Sequence, residues 1–470
     1  MKIEITKPIL KKIGALADEL GAKSFLVGGY VRDTLLGKEV HDIDILVVGS
    51  GIEFAQAVAE KLNKKKIVLF ERFGTAMLNL GEDKIEFVGA RKESYDKDSR
   101  NPVVEVGTLH DDLSRRDFTI NTLAASLNAA TWGEVHDPFG GEKDLEKKII
   151  RTPLDPLQTF EDDPLRIIRA VRFASQLDFV IDEQTLRAIP QMKERLAIIS
   201  QERITEEFMK IMASPKPSIG LRLMFDTGML KIIFPEVDEL AGVDQRQEYH
   251  HKDVFLHTCE VVDNICTATD NVYLRLVALL HDIAKPKTKK FIEGTGWTFH
   301  GHEELGARMV KHIFRRMKLP FENIPYIEKL VRLHLRPMQL VDEEVTDSAV
   351  RRLLFEAGED IDDLMTLCRA DITSKNPKLV KKVLSNYDMV YAKMKEVEES
   401  DRMRAFQPPV RGDEIMHVCG LPAGKLVGVL KSNIEEAILD GRIPNEHDAA
   451  LEYLLEIKDE VIKNYEGIEK

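Results

Sequence analysis

The sequence predicts an α+β protein, in which a small mixed α/β domain at the N-terminus precedes a longer, all-helical part. Two observations support this class. Short apolar runs of strand type alternate with segments of helical spacing up to about residue 140, whereas almost every segment after Asp155 has helical spacing. At 470 residues, with 43% hydrophobic residues, the chain is long and apolar enough for several domains with buried cores.

Glycine positions divide the N-terminal domain into short elements. Helical spacing predicts helices over 7–20, 30–36 and 54–62. Apolar runs of strand length predict strands over 24–27, 43–48, 67–70, 76–80 and 84–88. A strand, a double-glycine turn at Gly28 and Gly29, and a helix therefore follow one another early in the domain.

Composition divides the helical part further. Helical spacing predicts helices over 164–177, 185–191, 205–212, 254–265 and 274–280. The composition changes near Gln245, since eight of the 13 histidines lie between His250 and His334. We therefore predict four domains, over residues 1–150, 151–240, 241–400 and 401–470.

Charge and cysteine content narrow the class of protein. A net charge of −13 neither supports nor excludes an RNA partner, because an acidic protein can bind RNA through a local basic surface. The four cysteines form no CxxC pair, which predicts free thiols in a reducing compartment. The N-terminus lacks the apolar core of a signal peptide, and no run of 18 uncharged apolar residues is present. We therefore expect a cytoplasmic protein without a membrane partner.

The double glycine suits a phosphate-binding turn. Gly28 and Gly29 stand between a predicted strand and a predicted helix, where a backbone without Cβ can approach a triphosphate closely. The start of the helix offers free N–H groups. Arg32, one turn further on, can bind phosphate oxygens with its forked guanidinium.

Two aspartates follow on the next predicted strand. Asp42 and Asp44 are two residues apart, so their side chains point to the same face, while Ile43 and Ile45 point into the core. Paired carboxylates supply the oxygen ligands that Mg²⁺ prefers, and two such ions can activate a 3′-hydroxyl and neutralise a leaving pyrophosphate. Glu86, on a neighbouring predicted strand, is the candidate third carboxylate.

These motifs together resemble the active-site signature of the tRNA nucleotidyltransferase and poly(A) polymerase family. The matching segments are FLVGGYVRDTLLG over 25–37, DID over 42–44 and LSRRDFTINTLA over 113–124. The resemblance implies a polymerase-β-like nucleotidyltransferase head with three catalytic carboxylates, Asp42, Asp44 and Glu86. It also implies nucleotide-binding roles for Gly28, Gly29, Arg32, Asp33, Arg116, Asp117 and Asn121. The alternative for the basic part of the third segment is a surface cluster of salt bridges.

A charged stripe follows along the next predicted helix. Asp163, Arg166, Arg169 and Arg172 recur at three-residue spacing, which on a generic helix indicates a solvated face. The start of this stripe also resembles the acidic–acidic–x–x–Arg motif that the family uses as an amino-acid template. Asp162 stands where the family usually has Glu.

Such a pair of side chains can distinguish bases by their edges. Cytosine and adenine present an exocyclic amine beside a ring nitrogen, so an aspartate can accept from the amine while an arginine donates to the nitrogen. Uracil and guanine present the reverse pattern and leave buried polar groups unpaired. The resemblance therefore implies that Asp163 and Arg166 select CTP and ATP. Arg169 and Arg172 are expected to bind the triphosphate or to stabilise the helix.

A set of histidines and aspartates in the helical part has the order H…HD…H…H…D, which resembles the HD phosphohydrolase superfamily. The residues are His257, His281, Asp282, His302, His334 and Asp371. His and Asp are good ligands for divalent transition metals. The resemblance implies one metal held by His257, His281, Asp282 and Asp371, and a second metal or a substrate phosphate bound by His302 and His334. Ordinary histidines of a helical domain are the alternative.

The resemblance as a whole implies an enzyme that adds C, C and A to the 3′ end of tRNA from CTP and ATP. It implies Mg²⁺ in the head, a divalent transition metal in an HD-type body, and a tail over 401–470 that contacts tRNA, with neither DNA nor a membrane as partner. A poly(A) polymerase, or an enzyme adding only CC or only A, stays open within the family. An HD phosphohydrolase with a degenerate head and a non-catalytic tRNA-binding protein are alternatives of other classes, and the paired aspartates argue against both. The basic cluster Lys285–Lys290 is predicted to be solvated surface.

Overall fold

In the computed structural model the chain divides after Phe234 into two units, Met1–Phe234 and Pro235–Lys470. The predicted head and most of the predicted neck fall in the first unit, and the predicted body and tail fall in the second. The structure describes residues 1–64, 66–71, 74–81, 83–94, 103–247, 250–294, 296–342, 346–401 and 409–468.

A seven-stranded mixed sheet forms the base of the first unit. The strands of this unit are β1 Ser24–Val27, β2 Asp42–Val47, β3 Val68–Phe70, β4 Thr75–Leu80, β5 Asp83–Gly89, β6 Arg91–Ser94, β7 Val103–Val106, β8 Ala124–Ser126, β9 Val135–His136, β10 Ile149–Ile150 and β11 Val180–Ile181. The large sheet has the order β3-β4-β5-β2-β1-β8-β9, in which β2 and β5 pair in parallel. β6 and β7 form a separate hairpin, and β10 and β11 form a short parallel pair.

Helices pack against this sheet, and they make up most of the rest of the first unit apart from the short β10–β11 pair. They are α1 Pro8–Glu19, α2 Gly29–Leu35, α3 Gly51–Lys61, α4 Leu109–Ser114, α5 Gly141–Lys147, α6 Pro156–Asp162, α7 Leu165–Leu177, α8 Glu183–Met192, α9 Gln201–Met212, α10 Pro217–Asp226 and α11 Leu230–Ile233. Short 3₁₀ turns lie at Thr119–Asn121, Ala129–Thr131 and Lys193–Ile198.

The second unit is helical apart from two hairpins. Its helices are α12 Pro235–Asp238, α13 Val254–Cys266, α14 Val272–Leu280, α15 Lys285–Thr288, α16 His302–Met317, α17 Ile324–Leu333, α18 Arg336–Asp342, α19 Asp347–Ala357, α20 Ile361–Ala370, α21 Pro377–Asp401, α22 Gly412–Cys419, α23 Lys425–Leu439 and α24 His447–Ile468. The hairpins pair β12 Asp244–Gln247 with β13 His250–Asp253, and β14 Lys290–Ile292 with β15 Gly296–Thr298. Short 3₁₀ turns lie at Phe321–Asn323 and Gly358–Asp360. None of the helices in the described ranges combines the length and the apolar character needed to cross a membrane.

The predicted fold class is confirmed, and local caps explain where the predicted elements begin. α3 starts three residues before its predicted bound because the Ser50 side chain accepts a hydrogen bond from the Glu53 backbone N–H at 3.2 Å. α13 begins where predicted, after the Asp253 side chain accepts from the Leu256 backbone N–H at 3.1 Å. The two hairpins of the second unit were not predicted, because strands of three or four residues are too short to show a clear period of two.

Candidate active site and candidate metal centre

Three carboxylates lie on neighbouring strands of the head sheet. The parallel register of β2 and β5 sets Asp44 directly opposite Glu86, and Asp42 lies two residues earlier on the same face. Ile43 and Ile45 are buried on the other face, as predicted. Burial raises the pKa of Asp44, and the Glu86 and Asp42 carboxylates raise it further, although Arg116 opposes them. This concentration of negative charge and oxygen donors fits a hard divalent cation.

The glycine turn brings this carboxylate pair close to an arginine. Gly28 has φ +66° and ψ −127°, a conformation that favours glycine. A Cβ atom at Gly28 would lie 2.9 Å from Nη1 of Arg116 and 3.8 Å from Oδ2 of Asp44. The absence of a side chain at Gly28 therefore leaves room for both groups beside the start of α2.

A buried aspartate, Asp112, orients the arginine. Nε and Nη2 of Arg116 donate to Oδ2 of Asp112 at 3.2 and 3.0 Å, and Arg115 donates to the other carboxylate oxygen. Burial raises the pKa of Asp112, but the two guanidinium groups outweigh that effect and hold it below its usual value. Sequence reasoning missed Asp112, although its position four residues before Arg116, near the end of a short helix, was a usable signal.

A chain of hydrogen bonds joins the glycine-turn helix to the third motif. Arg32 donates to Asp33 at 2.8 Å and to Asn121 at 2.7 Å. Asn121 in turn donates to Asp117 at 2.9 Å, and Arg169 of α7 donates to the same carboxylate at 2.6 Å. Burial raises the pKa of Asp117, but Arg169 and Asn121 lower it to about 2 overall. Asp117 and Asn121 thus connect Arg32 of α2 to Arg169 of α7 through hydrogen bonds.

The chain of contacts continues to a buried glutamate on α9. Oε1 of Glu207 accepts from Nη1 of Arg172 at 3.3 Å and lies 3.9 Å from Nη1 of Arg169. Burial lowers the pKa of Arg172 to about 10. The guanidinium carbons of Arg32, Arg169 and Arg172 lie 5.0, 5.4 and 4.2 Å from the centre of the Phe173 ring. Arg172 therefore supports the helix packing, and sequence reasoning missed both Glu207 and Phe173.

The candidate base-recognition pair lies where α6 meets α7. Asp163 ends α6, and its Oδ1 accepts from the Leu165 backbone N–H at 3.1 Å. Arg166, in the first turn of α7, donates to the backbone carbonyls of Thr159 at 3.3 Å and Arg115 at 2.5 Å. A guanidinium carries five N–H donors, so these two bonds orient the group and leave three donors.

Two groups of metal-type ligands lie at the centre of the second unit. The first is His257, His281 and Asp371, and the second is Asp282, His302 and His334. Within each group the ligand atoms lie within 4.8 Å of one another. Asp282 joins them, since its two carboxylate oxygens lie 3.3 Å from Nε2 of His281 and 3.3 Å from Nε2 of His302. Among the described residues the head carboxylates do not form a set this tight.

A hydrogen bond at Nδ1 orients each of the four histidine rings. Nδ1 of His281, His302 and His334 lies 2.7 to 2.8 Å from the backbone carbonyl three residues earlier, at Ala278, Phe299 and Val331. Nδ1 of His257 lies 2.8 Å from the Thr373 hydroxyl. Each Nε2 is thereby directed into the centre, which is how metal-binding histidines are held.

The charges at this centre also fit a metal. Burial alone would lower the pKa of His281, but the adjacent Asp282 and Asp371 carboxylates raise it to about 10. Burial lowers the pKa of His334 to about 3. Oδ1 of Asp371 lies 2.9 Å from Nε2 of His257 and 3.5 Å from Nε2 of His281, and neither this oxygen nor the His281 nitrogen has a hydrogen-bond partner of good geometry within the described ranges. A divalent cation would satisfy both atoms and replace the proton on His281.

Comparisons with known proteins match both regions. The model of the Poly A polymerase head domain matches residues 24–151. The model of the probable RNA and SrmB-binding site of polymerase A matches residues 178–240, and that of the HD domain matches residues 254–375.

Named relatives cover most of the chain. An A-adding tRNA nucleotidyltransferase of Deinococcus radiodurans is 30% identical over 434 residues, 90% of this chain and 93% of that protein. A multifunctional CCA protein of Xanthomonas campestris pv. campestris is 34% identical over 365 residues, 74% of this chain and 84% of that protein. The solved complex structure of a CCA-adding enzyme with CTP has a TM-score of 0.62 and 26% identity, and covers 96% of each chain.

The lack of a side chain at Gly28 can be tested by adding a Cβ atom there. Gly28→Ala is expected to weaken nucleoside triphosphate binding about tenfold, because the new Cβ displaces Arg116 and costs a charge-assisted hydrogen bond. Gly37→Ala, just after the same helix, is the control for adding a Cβ at a positive φ, since Gly37 has φ +70° but nothing within 4 Å of an added Cβ. Titration with triphosphate measures both, and equal affinities would contradict the assignment.

The bracing role of Glu207 can be tested by substitution, with its neighbour Glu206 on α9 as the control. Glu207→Ala leaves Arg172 buried without its carboxylate and is expected to lower the free energy of unfolding of the first unit by about 3 kcal/mol. Glu206→Ala removes an exposed partner of Lys210 and is expected to cost at most about 0.5 kcal/mol. Native-state hydrogen exchange of α7 and α9 distinguishes them, and similar protection in both variants would argue against a bracing role.

Proposed function

This chain belongs to the tRNA nucleotidyltransferase and poly(A) polymerase family, and we propose that it adds C, C and A to the 3′ end of tRNA. It is a nucleotidyltransferase with an HD domain. The proposed substrates are CTP, ATP and tRNA, with pyrophosphate as the leaving group. Its proposed location is the cytoplasm, where tRNA is used.

One observation carries the proposal: the carboxylates and the phosphate-binding groups occupy one small region. Asp44 lies opposite Glu86 across β2 and β5, beside the space that Gly28 leaves open. Arg116 reaches the same space with its guanidinium oriented by Asp112. A triphosphate in this region has a charged donor on one side and acidic groups on the other, which is the arrangement that nucleotidyl transfer requires.

We assign Mg²⁺ to Asp42, Asp44 and Glu86, because their donors are all carboxylate oxygens. When bound, the ion supplies positive charge to the triphosphate and to the attacking 3′-hydroxyl. The chain's own groups hold the nucleotide: Gly28 and Gly29 give access to the backbone, and Arg32 and Arg116 donate to phosphate oxygens.

Selection of C and A is assigned to Asp163 and Arg166. The Thr159 and Arg115 carbonyls hold the Arg166 guanidinium, whose remaining donors can meet a ring nitrogen. The Asp163 carboxylate can accept from the exocyclic amine. A uracil or guanine would leave these groups unpaired, and such a mismatch lowers kcat/KM by orders of magnitude, roughly 10⁴-fold in sites of this kind.

A second activity, metal-dependent phosphate-ester hydrolysis, is proposed for the HD domain. It is favoured by the convergence of four histidine Nε2 atoms and two aspartates, each histidine oriented through its Nδ1. The mixed nitrogen and oxygen donors suit a transition metal such as Ni²⁺ or Mn²⁺.

Single-nucleotide addition tests the first proposal. With Mg²⁺ and tRNA lacking its 3′ CCA, we expect C addition from CTP alone, full CCA from CTP and ATP, and little addition from UTP or GTP. Asp44→Asn should lower the rate at least about a hundredfold. Asp83→Asn is the control, because Asp83 lies on the same strand as Glu86 but binds Lys7 at 2.6 Å.

Each other outcome identifies a different enzyme. Addition of A to tRNA ending in CC, without C addition, would make this an A-adding enzyme, as the Deinococcus relative is named. Long A tails on unrelated RNA would indicate a poly(A) polymerase. Full activity of Asp44→Asn would refute the assignment of the carboxylates.

Metal content tests the second proposal. His281→Ala is expected to lose at least one equivalent of Ni²⁺ or Mn²⁺ and all hydrolysis of an RNA end bearing a 2′,3′-cyclic phosphate. His312→Ala, at an exposed position of α16, should change neither. Elemental analysis after dialysis gives the metal content, and equal metal in both variants would contradict the proposed centre.

A further inference from the structure

An exposed aromatic hairpin separates two of the candidate metal ligands in the second unit. β14 and β15 pair with Phe291 directly opposite Trp297. The two rings meet edge to face with 5.3 Å between their centres, and Phe291 is 61% and Trp297 42% exposed. Ile292 beside them is also exposed. Large apolar side chains gathered on one exposed hairpin indicate an interaction surface.

Several lysines lie just before these rings in the chain, and one of them contacts a ring. Lys287 and Lys290 are exposed and have no ion-pair partner in the described parts of the chain. Nζ of Lys289 lies 4.6 Å from the centre of the Trp297 ring. Glu293 is the only acidic residue between 285 and 298, in a chain whose net charge is −13. The hairpin is therefore a local positive surface suited to a polyanion.

The segments before and after the hairpin both contact the HD centre. Before it, Nζ of Lys285, at the start of α15, donates to Asp282 at 2.6 Å. At its end the Phe299 carbonyl lies 2.8 Å from Nδ1 of His302. Trp297 and His302 are five positions apart, a span of at most about 18 Å. A polyanion bound to the rings and lysines is therefore within reach of the candidate metal ligands.

We propose that the β14–β15 hairpin binds single-stranded RNA by stacking bases on Phe291 and Trp297, and so directs the phosphate at the RNA end to the HD centre. The delivery of the phosphate to the HD centre rests on the proposed hydrolase activity, whereas the binding of RNA by the hairpin does not. Aromatic rings beside a basic surface are the usual means of binding unpaired strands without sequence preference. Only an unpaired strand offers base faces to these rings while its phosphates meet Lys287 and Lys290.

Crosslinking and affinity locate and measure the binding. A single-stranded octanucleotide containing 5-iodouridine should crosslink to residues 290–298 of the full chain. Phe291→Ala/Trp297→Ala should abolish that crosslink and raise the Kd, measured by anisotropy, at least about tenfold. Phe321→Ala, which removes a 59% exposed ring elsewhere in the same unit, should change neither. Lys287→Ala/Lys290→Ala should make the salt dependence of log Kd shallower by about 0.7 for each phosphate that the lysines neutralise in the wild-type protein.

Hydrolysis separates this inference from the activity on which it partly rests. With an RNA end bearing a cyclic phosphate, the double aromatic variant should raise KM and leave kcat unchanged. Its hydrolysis of bis(p-nitrophenyl) phosphate, which offers no base, should equal that of wild type. A wild-type protein that hydrolyses neither ester refutes the hydrolase proposal, while the crosslink still decides RNA binding.

Three results would overturn the inference. The first is an unchanged RNA crosslink and Kd in the double aromatic variant. The second is loss of hydrolysis of both esters alike, which would indicate a disturbed metal centre. The third is a double aromatic variant that binds RNA as wild type does but no longer binds phosphatidylserine–phosphatidylcholine vesicles. That result would identify the hairpin as a membrane-binding surface.

Discussion

The buried carboxylate of Asp117 holds the first unit together around its candidate active site. It accepts hydrogen bonds from the Phe118 backbone N–H and from Asn121 in its own segment, and from Arg169 of α7, 52 residues further along the chain. A buried charge is stable only when its partners are all in place. The position of Arg32 beside the glycine turn is therefore coupled to the position of α7, and groups predicted as separate motifs form one network.

Local rules account for what could be predicted from the sequence. A spacing of two residues on a strand predicted that Asp42 and Asp44 share one face. The register of β2 with β5 then sets Glu86 opposite Asp44. Spacing of three placed Arg166, Arg169 and Arg172 along one side of α7. Spacing cannot say what each side chain meets, and Arg166 meets backbone carbonyls while the other two meet carboxylates.

The side-chain contacts that could not be predicted from the sequence depend on which residues are buried. Glu206 and Glu207 are neighbours of the same type on α9, yet the first side chain is 67% exposed and the second only 5%. Only the packing of α7 against α9 decides between them, and a single sequence does not contain that packing. The histidines show the opposite case: His281 and His334 follow the last turns of α14 and α17, so a local carbonyl orients each ring.

The parallel pair of β10 and β11 has a consequence for how this protein can vary in length. α6 and α7 lie between the two strands, so α7 is fixed at its start by the bond from Arg166 to the Arg115 carbonyl and soon after its end by β11. One inserted residue would turn the rest of α7 by about 100° and carry Arg169 and Arg172 away from their partners. Insertions and deletions should therefore accumulate in the loops of this unit and be absent from α7.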